Sequence, residues 1–429
     1  MIKPSKYNLL VEETPDFVSL FNTRTGILIK VSPEAYHHLC AVDDVADSDD
    51  DPYIRAFARR GFCVPAQMDE QAGYRHANNG CQTAGDGQEI SFTIAITTNC
   101  NYRCSYCFED GVPALPMNSD TRQRLVSYIL QRARENPSCQ AISIMWFGGE
   151  PLLALSDIQS ISEALLSYCN MHGLIYRSRM ISNGSLLTKE IAKMLSHYNL
   201  VSFHLTMDGS CDGYCKSKQT TPFYYKKVMQ AIEDCCEQIH INIRLNCHRE
   251  NLLSILELVT ELHQNEKIRE HVHLYLAPVQ SDKPGVDVYS PYEFAKVHNV
   301  FLQHLFELQW YEQIRNAVPK PKMTPCHNLL AHSFTVDPQG DFFDCESALG
   351  ISTYRIGNLD TEITELQSVK QKLADEYDAS LQEQCRRCCF FPICFSGCPA
   401  ERIYADDCSC QGLKKRTLDT LRYISRIPQ

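Results

Sequence analysis

Between residues 89 and 279 the chain alternates short apolar runs with longer amphipathic ones, and the hydrophobic period switches accordingly. The apolar runs predict strands at Ile90–Thr97, Ala141–Phe147, Tyr176–Ser182, Val201–Met207, Ile239–Asn246 and Val272–Val279. The stretches between them have helical spacing: Asp120–Glu135, Ser156–Met171, Thr188–Tyr198, Tyr224–Gln238 and Leu252–Gln264. Strict alternation of this kind predicts a parallel sheet joined by crossover helices. Six units are too few to close an eight-stranded barrel. In such architectures chemistry gathers at the carboxyl ends of the strands. The run Cys100–Cys107, the run Gly148-Gly149-Glu150-Pro151, Asn183-Gly184 and Asp208-Gly209 all fall at predicted strand ends.

The flanking segments follow other patterns. Residues 1–70 predict a small separate domain, with three β-rich runs (Tyr7–Val11, Phe17–Asn22, Gly26–Val31) and a helix capped by Ser32-Pro33-Glu34. An acidic loop, Asp43–Asp51, leads to a second helix at Pro52–Arg60. Residues 71–88 are polar and rich in Gly and Asn, as in a linker. The barrel region runs over 89–315 and ends on a long amphipathic helix, Tyr292–Arg315. Residues 316–429 form the last region. From Pro325 to Cys410 it is cysteine-rich with little apolar periodicity, which predicts loops organised by metal.

Composition narrows the function. The 429 residues carry a net charge of −11 and no basic block, which argues against nucleic acid as the main partner. No apolar run approaches a membrane span and the N-terminus has no apolar signal core, so a cytoplasmic protein is expected. In a reducing compartment 22 cysteines point to metal rather than disulfides. Cys139, Cys169, Cys235 and Cys247 lie outside ligand-spaced clusters and are expected to be small buried hydrophobes.

The clustered cysteines carry the chemistry. Cys100, Cys104 and Cys107 have C-x3-C-x2-C spacing on a loop after an apolar strand, which suits three corners of a [4Fe–4S] cluster and leaves one iron open to a chelating ligand. With Phe108 next and Gly148-Gly149-Glu150-Pro151 downstream, the chain resembles the radical S-adenosylmethionine (radical SAM) enzymes. The resemblance implies that the six units form an open, partial (β/α)6 TIM-like barrel and that SAM chelates the open iron. It further implies that Gly148, Gly149 and Glu150 lie by the methionine amino group, Tyr106 by the adenine, and Ser182, Asn183 and Thr206 by the cofactor, with Leu276 as an apolar adenine contact. Lys218 stands where relatives carry an arginine for SAM, keeping the charge without the bidentate fork.

A second resemblance covers the C-terminus. Cys326, Gly340-x4-Cys345, Cys385-x2-Cys388-x5-Cys394-x3-Cys398 and Cys410 match the seven-cysteine SPASM pattern. In isolation C-x2-C pairs equally suit structural zinc; beside a radical SAM barrel the resemblance implies two auxiliary [4Fe–4S] clusters, three clusters in all. Cys385, Cys388, Cys394 and Cys410 would hold the distal one, with Cys408 competing for the last place. Cys326, Cys345 and Cys398 would hold the proximal one, with His332 where a fully ligated relative has cysteine. Glu346, directly after Cys345, matches an Asp that serves as base in sulfatase-maturing relatives. Residues 1–70 resemble the winged-helix-like elements that bind leader peptides. Together these imply a peptide maturase that forms a thioether or carbon–carbon crosslink in a ribosomal precursor peptide, fed by a low-potential donor such as flavodoxin or ferredoxin. The alternatives are an anaerobic sulfatase-maturing enzyme that makes formylglycine, and a non-catalytic, metal-stabilised peptide-binding scaffold.

Overall fold

A computed structural model describes residues 1–42, 51–72, 74, 87–281, 283, 285–322, 326–376, 383–399 and 410–428. Most of the acidic loop and of the expected linker, and Cys408, lie outside them. The chain divides into two compact units. One comprises residues 1–80, 290–326 and 374–429; the other comprises 81–289 and 327–373.

In the first unit, β1 (Ile2–Pro4) pairs antiparallel with β5 (Cys63–Pro65), and β2 (Asn8–Glu13), β3 (Val18–Asn22) and β4 (Ile27–Val31) form an antiparallel sheet in that order. Gly26 turns β3 into β4 at φ 71°, a conformation that favours glycine. Helix Pro33–Cys40 starts where the Ser32 side chain accepts from the Ala35 N–H, and helix Pro52–Arg59 where Asp51 accepts from Tyr53 and Ile54. Val18, Leu20, Leu39, Ile54, Phe57 and Phe62 bury one core between sheet and helices.

The edges of this sheet differ. The C-terminal helix Cys410–Arg426 runs along β2: the Arg422 guanidinium donates to the Val11 carbonyl at 3.2 Å, and Arg426 pairs with Glu12. Among the described residues β4 pairs only with β3. The C-terminal helix also packs against helix Pro291–Glu307, close enough that a Cβ on Gly412 would lie 2.3 Å from the Pro291 carbonyl oxygen. The helix expected over Tyr292–Arg315 is two helices, Pro291–Glu307 and Tyr311–Asn316, broken where Gln309 takes φ 59°. Apolar spacing continued across the break because both helices bury a face.

The second unit bears out the parallel-sheet reading. β6 (Glu89–Thr97), β7 (Ala141–Gly148), β8 (Ile175–Ser182), β9 (Leu200–Met207), β10 (Ile241–Cys247) and β11 (Val272–Pro278) are all parallel and adjacent in chain order. The region after residue 325 is more regular than expected. β12 (Ser333–Val336) adds to the other side of β6 in parallel, and β13 (Asp341–Phe343) and β14 (Arg355–Asn358) continue antiparallel, giving nine strands. A helix, Ile363–Glu376, follows. Strands of three or four residues leave too little alternation to read from sequence.

The two faces of the six parallel strands differ. Ile90, Phe92, Ile94, Ile142, Ile144, Trp146, Phe203, Leu205, Ile241 and Ile243 are fully buried on one face, against which the crossover helices pack. The alternate residues carry Ser91, Thr93, Arg177, Arg179, His204, Arg244 and His273, mostly only partly buried. Cys139, Cys169, Cys235 and Cys247 are buried as expected. Among the described residues no helix is long and apolar enough to cross a membrane.

One buried histidine gives the first unit a pH dependence. His298, on helix Pro291–Glu307, packs near Phe294 and Phe301, and its Nδ1 has no hydrogen-bond partner. Burial, and then the nearby Arg416 charge, push its pKa down to about 3. The folded state therefore holds it neutral while the unfolded chain protonates near the ordinary histidine value. Its stabilising contribution is full above about pH 6.5 and is lost as pH falls toward the folded value. His298→Phe is expected to flatten the stability-versus-pH slope between pH 6 and 4 by up to about 1.4 kcal/mol per pH unit. Urea unfolding at a series of pH values checks this; an unchanged slope contradicts it.

Candidate active site at the strand carboxyl ends

The cluster loop is pinned by the next strand. The Gly149 N–H donates to the Thr97 carbonyl at 2.9 Å and the Glu150 N–H to the Asn99 carbonyl at 2.8 Å. Gly148 takes φ 110°, and a Cβ there would lie 2.1 Å from the Thr97 oxygen; one on Gly149 would lie 2.3 Å from the Asn99 oxygen. Glycine is therefore required because two backbones meet. Glu150 carries the tie onward. Its fully buried carboxylate accepts from the Ser182 hydroxyl at 2.8 Å and from the N–H groups of Leu152 at 3.0 Å and Asn183 at 2.8 Å. Burial raises its pKa, and these hydrogen bonds partly offset the rise.

Asn183 is thus placed beside the first cysteine. Its Nδ2 lies 2.8 Å from Asn101 Oδ1 and 4.0 Å from Cys100 Sγ, which also accepts from the Tyr102 N–H at 3.4 Å. Cys100, Cys104 and Cys107 line one cavity of about 430 Å3, together with Gly149, Glu109 and Gln219. Burial pushes all three thiols up, so ligation here must expel protons. Three thiols around one cavity, with N–H donors aimed at a sulfur, suit a cubane cluster. Among the described residues no three Cys, His, Asp or Glu side chains converge on a single ion.

Behind the cavity Tyr106, Thr206 and Lys218 come together as one buried network. The Tyr106 hydroxyl donates to Asp208 Oδ2 at 2.6 Å and accepts from Asn246 Nδ2 at 3.0 Å. Lys218 Nζ lies 2.8 Å from Thr206 Oγ1, 3.1 Å from the Tyr106 hydroxyl and 3.5 Å from Asp208 Oδ2. Burial opposes the charge on Lys218, but Asp208 and Cys104 more than offset it and raise its pKa. Burial, then Asp208, raises that of Tyr106 well above the usual phenol value. Asp208 and Asn246 were not among the expected site residues. Only the position of Asp208 at a strand end signalled it, and nothing in the sequence marked Asn246.

The remaining expected residues lie elsewhere. Leu276 is buried opposite Leu245, away from the lining of the cavity. Glu346 accepts from Asn328 Nδ2 at 2.6 Å and lies 3.9 Å from Cys345 Sγ; Lys370 holds the Asn328 carbonyl at 2.7 Å. The His332 carbonyl accepts from the Ser91 N–H at 2.9 Å, which docks β12 on β6. Cys345 belongs to the second unit, whereas Cys326 and Cys398 belong to the first.

Cys385, Cys388, Cys394 and Cys410 are also in the first unit. Cys385 packs with Tyr7, Tyr74, Phe391 and Phe395, and Cys388 and the extra Cys389 pack near Phe390, Ile393 and Leu421. Between Cys394 and Cys398, Phe395, Ser396 and Gly397 take φ values of 50°, 67° and 91°. Two of these are not glycine, a backbone cost that surrounding structure must offset.

Lys218→Met would strand the buried Asp208 carboxylate without its cation. The expected cost is about 3–5 kcal/mol in urea unfolding. Lys218→Arg, which keeps the charge, is expected to cost less. A Met variant as stable as the parent contradicts the network's role.

Comparison with known proteins agrees with this geometry. Residues 94–262 match the model of the radical SAM superfamily. The radical SAM cyclopropyl synthase TigE of Paramaledivibacter caminithermalis is 24% identical over 223 residues, covering 46% of this chain and 47% of that protein. The chain thus aligns with about half the length of TigE. The cysteine-type anaerobic sulfatase-maturating enzyme of Clostridium perfringens is 23% identical over 363 residues, covering 74% of this chain and 92% of the enzyme. Among solved structures, anSMEcpe with bound AdoMet and Kp18Cys peptide superposes with a TM-score of 0.60 at 20% identity, over 79% of this chain and 98% of that one. SuiB of Streptococcus suis bound to precursor peptide SuiA does so with a TM-score of 0.50 at 13% identity, over 93% of this chain and 95% of that one. The superfamily match falls on the strands that carry the three-thiol cavity, and the cysteine-rich C-terminal region suits one or more iron–sulfur clusters; over residues 94–262 the chain is thus similar to the radical SAM enzymes.

Proposed function

We propose that the enzyme removes a hydrogen atom from a residue of a bound peptide. The observation that carries this reading is the cavity lined by Cys100, Cys104 and Cys107, pinned at the strand carboxyl ends. Those thiols would hold the cluster, and Asn183 and the Tyr102 N–H would set its hydrogen bonding. The chemistry supplied by a [4Fe–4S] cluster with SAM is reductive cleavage of the cofactor to a 5′-deoxyadenosyl radical. What the chain adds is placement: Gly149 and Glu150 fix the cluster loop, and the Tyr106–Asp208–Lys218 network walls the site. The peptide substrate is supported by the relatives, which are a sulfatase-maturating enzyme and structures solved with peptides. Two auxiliary clusters, held by the C-terminal cysteines, complete the proposed cofactor set.

Two outcomes of that hydrogen abstraction are in play. The sequence relatives favour oxidation of a Cys or Ser to formylglycine, since the sulfatase-maturating enzyme aligns over 92% of its length. Glu346, whose Oε2 lies 3.9 Å from Cys345 Sγ, would serve as the base in that reaction. Crosslinking of a ribosomal precursor is favoured by the first unit. Its β4 edge is open among the described residues while β2 is covered, so a leader peptide can add as a further strand. Residues 1–70 would then be a recognition domain, and flavodoxin or ferredoxin a suitable donor.

Replacing Cys100, Cys104 and Cys107 together with Ala is expected to abolish 5′-deoxyadenosine formation from SAM and dithionite, and to remove about four irons per chain. Undiminished product sinks the assignment. For the outcome, peptides from sulfatases and from short reading frames beside the gene can be incubated with enzyme and read by mass spectrometry. An aldehyde trapped by a hydrazine reagent supports formylglycine; loss of two hydrogens without a carbonyl supports a crosslink.

Lys30→Pro on β4 tests the recognition domain, because it removes an N–H from that strand. Binding of a leader-bearing peptide is expected to weaken at least tenfold with 5′-deoxyadenosine formation unchanged. Equal binding contradicts a β4 docking edge.

A further inference from the structure

The polar face of the sheet carries a charge pattern that the radical chemistry does not use. Strand register places Arg179 on β8, His204 on β9 and Arg244 on β10 along one diagonal: Arg179 is opposite Ser202, two residues before His204, and His204 is opposite Asn242, two before Arg244. Tyr275 on β11 is directly opposite Arg244. Diagonal neighbours on a sheet are roughly 7–8 Å apart, within reach of arginine side chains. The His204 ring nitrogen Nδ1 lies 3.2 Å from the Tyr275 hydroxyl. Burial, followed by Arg244 and Arg179, lowers the His204 pKa.

The arginines lack an acidic partner. Among the described residues no carboxylate lies within 4 Å of either guanidinium. Arg179 donates to Ser143 Oγ at 3.3 Å and Arg244 Nε to Asn246 Oδ1 at 2.8 Å, both neutral acceptors. Glu89 lies 4.0 Å from Arg177, and Glu346 accepts from Asn328. An uncompensated cationic diagonal in a chain of net charge −11 is not a consequence of composition. It is also reachable. All four side chains are only partly buried; Arg179 also lines, with Arg177, an open cavity of about 610 Å3 at the amino-terminal ends of β8 and β9, which the other three do not line. The upper end of the diagonal joins the active site, since Asn246 links Arg244 to the Tyr106 hydroxyl.

We propose that Arg179, Arg244, His204 and the Tyr275 hydroxyl form a carboxylate-binding site that takes an acidic side chain of the substrate peptide and so sets which residue meets the radical. The proposal rests on the peptide reading above. Two guanidinium groups offer charge-assisted donors for a carboxylate, and the imidazole and phenol, hydrogen-bonded to each other, leave one further donor between them. Specificity follows because an amide or apolar side chain would leave both buried-edge cations without a counter-charge.

The test uses the full, cluster-reconstituted enzyme and two capped peptides, acetyl-Ala-Glu-Ala-amide and acetyl-Ala-Gln-Ala-amide, with glutarate as a bare dicarboxylate probe. Titration calorimetry or ligand-observed NMR reads affinity. The Glu peptide is expected to bind at least tenfold tighter than the Gln peptide, and Arg179→Met with Arg244→Met should erase the difference. The single variants Arg179→Lys and Arg244→Lys, which keep the charge, should retain part of it and guard against a misfolded double variant, with circular dichroism as the check. Equal affinity for both peptides on the parent enzyme overturns the site, whichever residues bind them, and leaves the peptide reading standing. Arginine-dependent glutarate binding with neither peptide bound supports the anion site and counts against a peptide substrate. No binding of any probe overturns the site. Loss of SAM binding in the single lysine variants assigns the arginines to the cofactor carboxylate and likewise overturns it.

Discussion

The second unit depends on a backbone contact too close for any side chain. At the end of β7 the chain passes so near the end of β6 that a Cβ on Gly148 or Gly149 would sit about 2 Å from a carbonyl oxygen of Thr97 or Asn99. Two hydrogen bonds use that proximity, and the Glu150 carboxylate passes the restraint to Ser182 and Asn183 at the end of β8. Three strand ends are thereby locked in register before any ligand arrives. The cysteine loop is not stiff in itself; it inherits its position from glycines and a carboxylate on other strands. A buried carboxylate is costly unless its oxygens are engaged. Here both accept hydrogen bonds, so that cost is offset while three segments are joined.

The second constraint is the division of the sheet into a dry face and a wet one. Helices cover the apolar face, and that packing supplies the hydrophobic stabilisation of the unit. The polar face contributes little burial but presents serine, arginine, histidine and asparagine to whatever enters. A sheet whose strands alternate in this way can change its inner residues without touching its outer core, because successive side chains point to opposite faces. Recognition on this fold is thus free to diverge while the cluster latch is kept, as expected where function is carried by sites rather than by folds.

The six parallel strands were legible because each is seven or more residues long and bounded by polar stretches. The three cysteines and the glycine pair were legible through spacing. The inner-face network was only half legible: Tyr106, Thr206 and Lys218 were marked by position, but Asp208 and Asn246, which join them, are set by cross-strand register, which no local window contains. The strands β12–β14 escaped notice because they are short and complete a sheet begun some 240 residues earlier in the chain, at Glu89, counted to Ser333. The broken helix at Gln309 was missed for a different reason: a single left-handed residue interrupts hydrogen bonding without interrupting the apolar stripe. Glu150 shows a role that spacing does not reveal: its oxygens accept from Ser182 and from the Asn183 N–H, tying three segments together.

Lys218 draws these points together. An exposed lysine holds its charge cheaply in water, but this one is nearly fully buried and depends on Asp208 to remain charged. An arginine at the same place would spread its charge over a planar fork and demand more acceptors than one carboxylate oxygen, one hydroxyl and one phenol arranged around a point. The compact ammonium fits that arrangement. Lys218 is therefore a closed, inward-facing cation that braces Tyr106, Thr206 and Asp208. Asp208 Oδ1 remains buried without a hydrogen-bond partner. The network is thus short of one donor rather than of one acceptor, and a ligand hydroxyl or N–H reaching that oxygen would satisfy it.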